Sequence, residues 1–279
     1  MEQIIRTVID AKLQTCLKLG LPFELPANSS LNEKLSIHAS TALGDSDRPI
    51  MKYVGIGNGG HKAEIGGDGF SKIIPVPHRP RDTGLYNQIP FVLRRTDNDL
   101  TTAERGNYRL RRTEVHGGTT YIAYYLKVLD LSGTVPKLEL RSVDAGVTTV
   151  IPFTPTIADL NPVKPAITSG SVLTTSGDYV AATAKVPFVL TSVDIANLIE
   201  VANIIYTDPN YAFISEIALC AGVDKIVTGT FGSVTASYTD AIGVHVTNFI
   251  STSYPVNFIS TEIKTNLNIG SVEPLLTIS

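Results

Sequence analysis

The sequence predicts an α+β protein made of two β-rich parts that each carry one or two helices. Two runs rich in β-branched and aromatic residues flank Gly117 and Gly118, which is the pattern of a β-hairpin. Apolar residues spaced by three and four positions run through residues 192–206 and predict a helix. Because helical and β-rich patterns both recur in each half of the chain, we expect an α+β fold.

Four prolines within residues 152–165 predict a linker, and arginine disappears from the sequence after Arg141. A chain of 279 residues is long enough for two domains of ordinary size. We therefore expect an N-terminal domain of residues 1–160, with a helix, a Gly-rich loop and an Arg-rich hairpin. The C-terminal α+β domain is expected to span residues 166–279.

Two helices are predicted in the N-terminal domain. An amphipathic pattern covers residues 3–19 and ends at Gly20, a residue type that often terminates helices. The apolar face predicted for this helix contains Ile4, Ile5, Val8, Ala11, Cys16 and Leu19. Thr101 and Glu104 have the spacing of a capping box, so a short helix is expected to begin there.

The remaining elements are mostly predicted strands. Residues 137–143 and 147–153 have strand patterns, and in the C-terminal domain a buried strand is expected over residues 211–220. Residues 226–238 predict a pair of strands. Residues 240–252 carry apolar positions at helical spacing, and we therefore expect a second helix in this domain.

The net charge of −3 conceals an asymmetry between the two halves of the chain. Residues 1–141 contain 19 Lys and Arg against 15 Asp and Glu, a balance of +4. Residues 142–279 contain 4 against 11, a balance of −7. Two halves of opposite charge favour contacts between copies of the chain, or contacts with two different neighbours. Nucleic-acid binding by the basic half is the competing interpretation.

Residues 55–61 have the glycine content of a phosphate-binding loop, but other parts of that pattern are missing. Gly55, Gly57 and Gly60 match the GxGxxG spacing formally, yet further glycines follow where a dinucleotide-binding fold needs a helix. The Gly-Lys-Ser/Thr ending of a P-loop is also missing. We therefore predict a structural loop where backbones approach closely, with no nucleotide cofactor.

Catalytic and metal-binding patterns are not found in the sequence. The five histidines form no HxH, HxxH or HExxH spacing, there is no GxSxG elbow, and neither cysteine has a CxxC partner. We predict that the protein is not an enzyme and has no metal site or cofactor. The alternative, an enzyme, would need a pocket lined by His61, His78 or His116.

Membrane and secretion signals are also missing from the sequence. No apolar run approaches the roughly 20 residues that span a bilayer. The first twelve residues carry charges throughout, unlike a signal peptide. We expect a protein made in the cytoplasm that does not contact membranes.

Eight of the eleven arginines lie within residues 79–112, where there is no lysine. Four interleaved Asp and Glu leave this segment at +4. Arginine is favoured over lysine where planar, bidentate pairing with carboxylates is needed, as at protein interfaces. We therefore predict an interface that uses Arg79, Arg81, Arg94, Arg95, Arg109, Arg111 and Arg112. The alternative is a nucleic-acid-binding module that uses the same segment, and it requires guanidinium groups free of carboxylate partners.

Two passages that cover about a third of the chain resemble known structural proteins. The run RPRDTGLYNQIPFVLRRTDNDLTTAERGNYRLRR, together with the later YIAYYLKVLDL, resembles structural proteins of contractile-tailed bacteriophages. The segment FISEIALCAGVDK is similar to a strand-and-turn motif of phage tail and fibre-attachment proteins.

The resemblance implies a ring-forming component of the virion without enzymatic activity. Its expected partners are further copies of itself and other phage neck, tail or baseplate proteins. The expected location is the virion, after synthesis in the host cytoplasm. A collar or gateway ring at the head-to-tail neck and a wedge component of the baseplate are the two positions that the resemblance leaves open.

Overall fold

A computed structural model describes residues 3–65, 67, 69, 71–144, 147–231, 234–256 and 262–278. Strands account for 50% of the structure and helices for 17%, and the strands form three antiparallel sheets. The fold is therefore essentially all-β, and the predicted α+β class is wrong.

The longest strands lie in the C-terminal half of the chain. The strands are β1 (Gln3–Arg6), β2 (Ile50–Gly57), β3 (His61–Ile65), β4 (Ser71–Pro75), β5 (Gln88–Ile89), β6 (Val92–Arg95), β7 (Tyr108–His116), β8 (Thr119–Val128), β9 (Lys137–Asp144), β10 (Val147–Pro152), β11 (Leu173–Leu190), β12 (Phe213–Phe231), β13 (Val234–Pro255) and β14 (Ile263–Ile278). The helices are α1 (Val8–Leu19), α2 (Leu31–Leu35), α3 (Thr102–Arg105), α4 (Ile157–Leu160) and α5 (Ser192–Tyr206), with a 3-10 turn at Pro209–Tyr211.

The large sheet has eight strands. Its main order is β1-β13-β12-β2-β8-β6, with β5 paired to β2 and β7 paired to β8. A four-stranded sheet has the order β10-β9-β11-β14, and β3 with β4 forms a hairpin of its own. The long strand β12 lies between β13 and β2, so both of its edges are paired.

The chain divides into two compact units that are discontinuous in sequence. The first unit contains Met1–Leu129 and Val189–Ile263, and the second contains Asp130–Phe188 and Lys264–Ser279. These units differ from the domains predicted as residues 1–160 and 166–279. The proline-rich segment predicted as a linker lies inside the second unit.

The apolar core of the first unit is built on the central strands of the large sheet. Tyr53 of β2, Leu126 of β8 and Phe249 of β13 are fully buried in one cluster. Helix α2 adds Leu31 to that cluster, and α5 adds Val201. Burial of such side chains contributes about 25 cal/mol per Å² of apolar surface, which makes this core the main source of stability in the unit.

Several local predictions are confirmed. The hairpin forms between β7 and β8, and Gly117 and Gly118 both have positive φ, at 54° and 77°, as a type I′ turn requires. Helix α3 has the predicted capping box of Thr101 and Glu104. Helix α5 spans the predicted residues 192–206, and β9 and β10 form where the sequence has strand patterns.

The predicted helix over residues 240–252 is wrong, because this segment belongs to strand β13. Nearly every residue from Asp240 to Ile250 is buried, on both faces of the strand. A strand covered on both faces reads as a continuous apolar run. Such a run contains residues at helical spacing as well, so spacing alone could not separate the two structures.

The predicted helix over residues 3–19 is also corrected. Its first residues form β1, which pairs with β13, and α1 begins only at Val8. Oγ1 of Thr7 accepts a hydrogen bond from the amide of Asp10 and caps this helix. The helix buries Ile9, Asp10 and Leu13 and exposes Val8 and Leu19, so the predicted apolar face was wrong.

Candidate functional site

Glu216 is the centre of a polar cluster in the first unit. It lies in β12, within the motif FISEIALCAG, and its side chain is completely buried. Its carboxylate accepts hydrogen bonds from the backbone amides of Tyr86 and Asn87, both at 2.9 Å. The amide of Gly59 donates a further bond at 3.1 Å, and Nε2 of His78 lies 2.7 Å away. These bonds compensate the cost of burying a charged group.

The pKa of Glu216 reflects two opposed effects. Burial raises the pKa, but the hydrogen bonds from His78, Asn87 and Tyr86 outweigh burial and bring it below the ordinary value of a glutamate. The carboxylate is therefore ionised at neutral pH. Because an ionised carboxylate can only accept, the imidazole of His78 donates in this contact.

His78 connects Glu216 to a segment that we call the arm, residues 76–87. Its ring is stacked between Tyr86, with centroids 4.0 Å apart, and Phe249, at 3.9 Å. Its Nδ1 lies 3.5 Å from a carboxylate oxygen of Asp82, which also belongs to the arm. The arm is therefore fixed to the large sheet by ring stacking and by hydrogen bonds to Glu216.

The Gly-rich loop packs against the same carboxylate. A Cβ atom at Gly57 would lie 2.4 Å from Oε1 of Glu216 and 2.6 Å from the carbonyl oxygen of Asn87. A Cβ atom at Gly60 would lie 2.9 Å from the carbonyl oxygen of Ser215. Neither position has room for a side chain, so the predicted close approach of backbones in this loop is confirmed.

Three of the predicted interface arginines pair with carboxylates inside the first unit. Nε of Arg109 lies 2.7 Å from Asp224, and a guanidinium nitrogen of Arg111 lies 3.1 Å from Asp99. The Arg111 guanidinium is also stacked over the Phe231 ring at 4.2 Å. Arg112 pairs with Glu114 at 2.6 Å. Since Arg109 and Arg111 are buried, their guanidinium groups form ion pairs inside the first unit.

Of the other four predicted interface arginines, Arg79, Arg81 and Arg95 are exposed, whereas Arg94 is half-buried. Arg94 pairs with Glu200 at 2.9 Å, Arg79 with Asp82 at 3.1 Å and Arg95 with Asp97 at 3.4 Å. Arg81 is exposed and has no ion pair with the residues that the structure describes. Of the seven arginines, Arg109 and Arg111 are therefore buried, Arg94 and Arg112 are half-buried, and the other three lie at the surface.

The carboxylate of Asp224 contacts two cationic side chains, Arg109 and Lys52. This carboxylate binds Arg109, accepts a hydrogen bond from Nζ of Lys52 at 2.6 Å and accepts another from the Tyr53 hydroxyl at 2.8 Å. Burial raises the pKa of Asp224, but Arg109, Lys52 and Tyr53 lower it more strongly, to about 2. The acidic half of the chain therefore supplies this carboxylate to an arginine of the basic half.

Sequence reasoning missed the structural roles of Glu216 and Asp240. Oδ1 of Asp240, a buried residue of β13, accepts from the backbone amides of Leu110 and Ala241 at 2.6 and 2.8 Å. Leu110 has a φ of 54°, and Asp240 satisfies its amide at this irregular point of β7. Glu216 interrupts an apolar run in ISEIALC, and Asp240 stands directly before one in TDAIGVHV. A lone acid in such a run is a recognisable sign of a buried, fully hydrogen-bonded carboxylate.

One side of the arm borders a cleft of about 610 Å³, whose charged lining residues are Lys34, Arg79, Arg81, Glu33 and Asp82. Nζ of Lys34 donates to the carbonyl oxygen of Leu85. Burial lowers the pKa of Lys34, although the charge of Glu216 opposes that effect. With Arg81 available, this cleft has the chemistry to bind a carboxylate of a neighbouring protein.

The second unit carries a different surface, on its four-stranded sheet. Ile151 of β10, Leu140 of β9 and Val180 of β11 lie side by side in register, and Leu138 lies beside Ala182. Paired residues of an antiparallel sheet point to the same face, as do residues two positions apart along a strand. Leu138, Leu140, Ile151, Val180 and Ala182 adjoin one another on this face, and Val147 lies further along β10, beyond Thr149 and opposite Asp144. We call these six residues the apolar sheet face.

This apolar sheet face is open to solvent. Leu138 is 45% exposed, Ile151 51% and Val147 66%. The opposite face of the sheet carries the ion pair between Arg141 and Glu139, at 2.6 Å. Exposed contiguous apolar surface of this kind marks sites of protein–protein contact.

Within the described ranges, no helix combines the length and apolarity needed to cross a bilayer. Among the same residues, no three His, Cys, Asp or Glu side chains come together as a group that could hold a metal ion. Comparison with curated proteins and with solved structures gives no match. A family model described as "Family of unknown function (DUF7208)" matches residues 1–279, and the chain therefore belongs to this family.

Proposed function

We propose that the chain is a non-enzymatic structural protein of a tailed-phage virion, and that its copies assemble into a symmetric ring at the head-to-tail neck or the tail. The observation that carries the assembly part is the apolar sheet face of the second unit. The phage assignment rests on the resemblance of residues 79–131 and 213–225 to structural proteins of contractile-tailed phages.

The apolar sheet face favours association for a physical reason. Each Å² of apolar surface removed from water contributes about 25 cal/mol. Stable contacts between proteins bury roughly 800 Å² on each partner, with an apolar centre and a polar rim. Five neighbouring apolar side chains on three adjacent strands supply such a centre, and the polar residues Ser142 and Thr149 border them on the same face. Monomeric soluble proteins rarely leave a large contiguous patch of this type uncovered.

Charged surfaces support the same proposal. Arg81, which lines the cleft beside the arm, is available to acidic groups of a neighbour. The acidic balance of −7 in residues 142–279 offers such groups on further copies of the chain. Contacts between different surfaces of identical subunits close into rings when the rotation between neighbours allows it.

The nucleic-acid alternative has weaker support. It requires guanidinium groups that are free to contact phosphates. Arg94, Arg109, Arg111 and Arg112 instead lie within 3.1 Å of carboxylate oxygens in the chain itself. A phosphate would have to compete with each of those pairs.

Electron microscopy tests the proposal at two levels. Negative-stain images of the purified full chain should show rings of one diameter, and antibody–gold labelling of phage particles should mark the neck or the tail. Single copies at every protein concentration, or particles without label, would contradict it. Fluorescence anisotropy with duplex DNA is the companion measurement, and tight, salt-sensitive binding would support the nucleic-acid alternative instead.

A further inference from the structure

A second cleft of the first unit begins where helix α5 ends. Thr207 terminates the helix with a left-handed φ of 57°, and Oδ1 of Asp208 accepts a hydrogen bond from the Asn210 amide at 2.9 Å. This bond stabilises the 3-10 turn that follows. The turn places Tyr211 against Tyr206, with ring centroids 4.8 Å apart and planes inclined by 28°. Because Tyr211 is 52% exposed, part of its ring is open to the cleft.

On the other side of this cleft, the side chains of Asn58 and Asn87 form hydrogen bonds with the Tyr206 hydroxyl. Nδ2 of Asn87 donates to the Tyr206 oxygen at 3.0 Å and to Oδ1 of Asn58 at 2.6 Å. The backbone amide of Asn87 is bound to Glu216, so the position of this side chain depends on the arm. The amide groups are therefore fixed before any ligand arrives, which reduces the entropy lost on binding.

Several polar atoms of the cleft remain available. Oδ1 of Asn87 and the second carboxylate oxygen of Asp208 have no hydrogen bond with the residues that the structure describes. Nδ1 of His61 is buried and likewise lacks a partner in that part of the chain. Buried polar atoms are normally satisfied by protein, water or a ligand. Asn87 and Asp208 supply acceptors around one cavity of about 470 Å³, and the His61 side chain forms part of its wall.

We infer that this cleft binds a neutral carbohydrate. The carbon-bound hydrogens on one face of a sugar ring pack against an aromatic ring, and Tyr211 presents such a ring. Sugar hydroxyls donate hydrogen bonds, and so match the two acceptors that remain, Oδ1 of Asn87 and the carboxylate of Asp208. Apolar walls with a few fixed polar groups are typical of sites for small molecules, and here Phe213 and Ile73 supply the apolar part.

The charge of the cleft determines the class of sugar. Among the described residues that line it there is no lysine or arginine, and Asp208 is the single carboxylate. An acidic sugar or a phosphorylated ligand would meet no cation there and would be repelled by Asp208. A neutral hexose or an N-acetylated hexosamine meets neither obstacle.

Saturation-transfer NMR on the full chain tests the inference directly. The probes are the methyl glycosides of glucose, galactose, mannose and N-acetylglucosamine, with glycerol as a polyol that lacks a ring. Calorimetry then measures the Kd of each glycoside that gives a signal. We expect at least one glycoside to bind with a Kd below about 10 mM, and glycerol to give no signal.

Two variants of one residue separate stacking from a general structural effect. Tyr211→Ala removes the ring and should weaken binding at least about tenfold, whereas Tyr211→Phe keeps the ring and should stay within about threefold of the wild type. Tyr179→Ala, in the second unit, is the control and should bind as the wild type does. The inference fails if no glycoside binds up to about 10 mM, or if Tyr211→Ala binds as tightly as the wild type.

Discussion

Nε2 of His78 lies 2.7 Å from Oε2 of Glu216, and this buried contact joins residues 138 positions apart in the sequence. The arm and the Gly-rich loop both donate hydrogen bonds to this carboxylate of strand β12. The arm in turn carries Arg79 and Arg81, two of the predicted interface residues, and Asn87 of the proposed carbohydrate cleft. The geometry of both surfaces therefore depends on Glu216.

Glu216→Gln should destabilise the protein by about 3–5 kcal/mol, because breaking a buried charged pair leaves its partners without compensation. The amide also places a donor where backbone amides now donate. Urea unfolding followed by circular dichroism measures the loss. The matched control is Glu200→Gln, a half-exposed carboxylate paired with Arg94, for which about 0–1 kcal/mol is expected. Similar losses in the two variants would contradict the role of Glu216.

Gly57→Ala should lower the free energy of unfolding by roughly 1–3 kcal/mol, since the added Cβ atom overlaps Glu216 and Asn87. Gly67→Ala is the control, because no atom of the residues that the structure describes, apart from its chain neighbours, lies within 4 Å of the Cβ position at Gly67. We expect that control to stay within about 0.5 kcal/mol of the wild type. Thermal denaturation of the two variants side by side decides the matter, and equal melting temperatures would count against the packing of the loop.

Asp224 should make stability depend on pH in the acid range. Its pKa is about 2 in the folded protein, against about 3.9 in an unfolded chain, so the ionised form favours folding. The resulting stabilisation, roughly 2 kcal/mol, is complete above the unfolded pKa and is lost as the pH falls through 2. Asp224→Asn should be less stable at pH 7 and should lose less stability between pH 5 and pH 2. Parallel pH profiles for variant and wild type would refute this assignment.

Local chemistry explains which elements could be predicted from sequence. The turn at Gly117 and Gly118 and the capping box at Thr101 depend on neighbouring residues, and both were found. Strand β1 could not be separated from α1, because its pairing partner in β13 lies more than 240 positions away in the sequence. Strand β13 itself was misread because burial on both faces removes the alternation that identifies a strand.

In the candidate site too, local chemistry could be predicted from the sequence, whereas contacts between distant residues could not. Pairing of Arg109 and Arg111 with carboxylates follows from the chemistry of arginine, and the sequence predicts it at an interface, whereas the structure has both pairs inside the first unit. The identity of the partners, Asp224 and Asp99, depends on strand register and was not predicted. Glu216 was not recognised as the centre of the cluster either, although its position inside an apolar run was visible in the sequence.

The central claim is that the apolar sheet face of the second unit joins copies of the chain. Ile151 and Val150 are neighbours in β10, 51% and 49% exposed, and alternation places them on opposite faces of the sheet. Ile151→Asp places a charge on the apolar sheet face, and Val150→Asp places the same charge on the other face. Because both side chains are exposed, both variants should melt near the wild-type temperature.

Mass photometry of the wild type and these two variants, over a series of protein concentrations, tests that claim most directly. We predict that the wild type and Val150→Asp assemble into one discrete oligomer, and that Ile151→Asp remains a single copy. A wild type that is monomeric at every concentration, or an Ile151→Asp variant that assembles as the wild type does, would contradict the account.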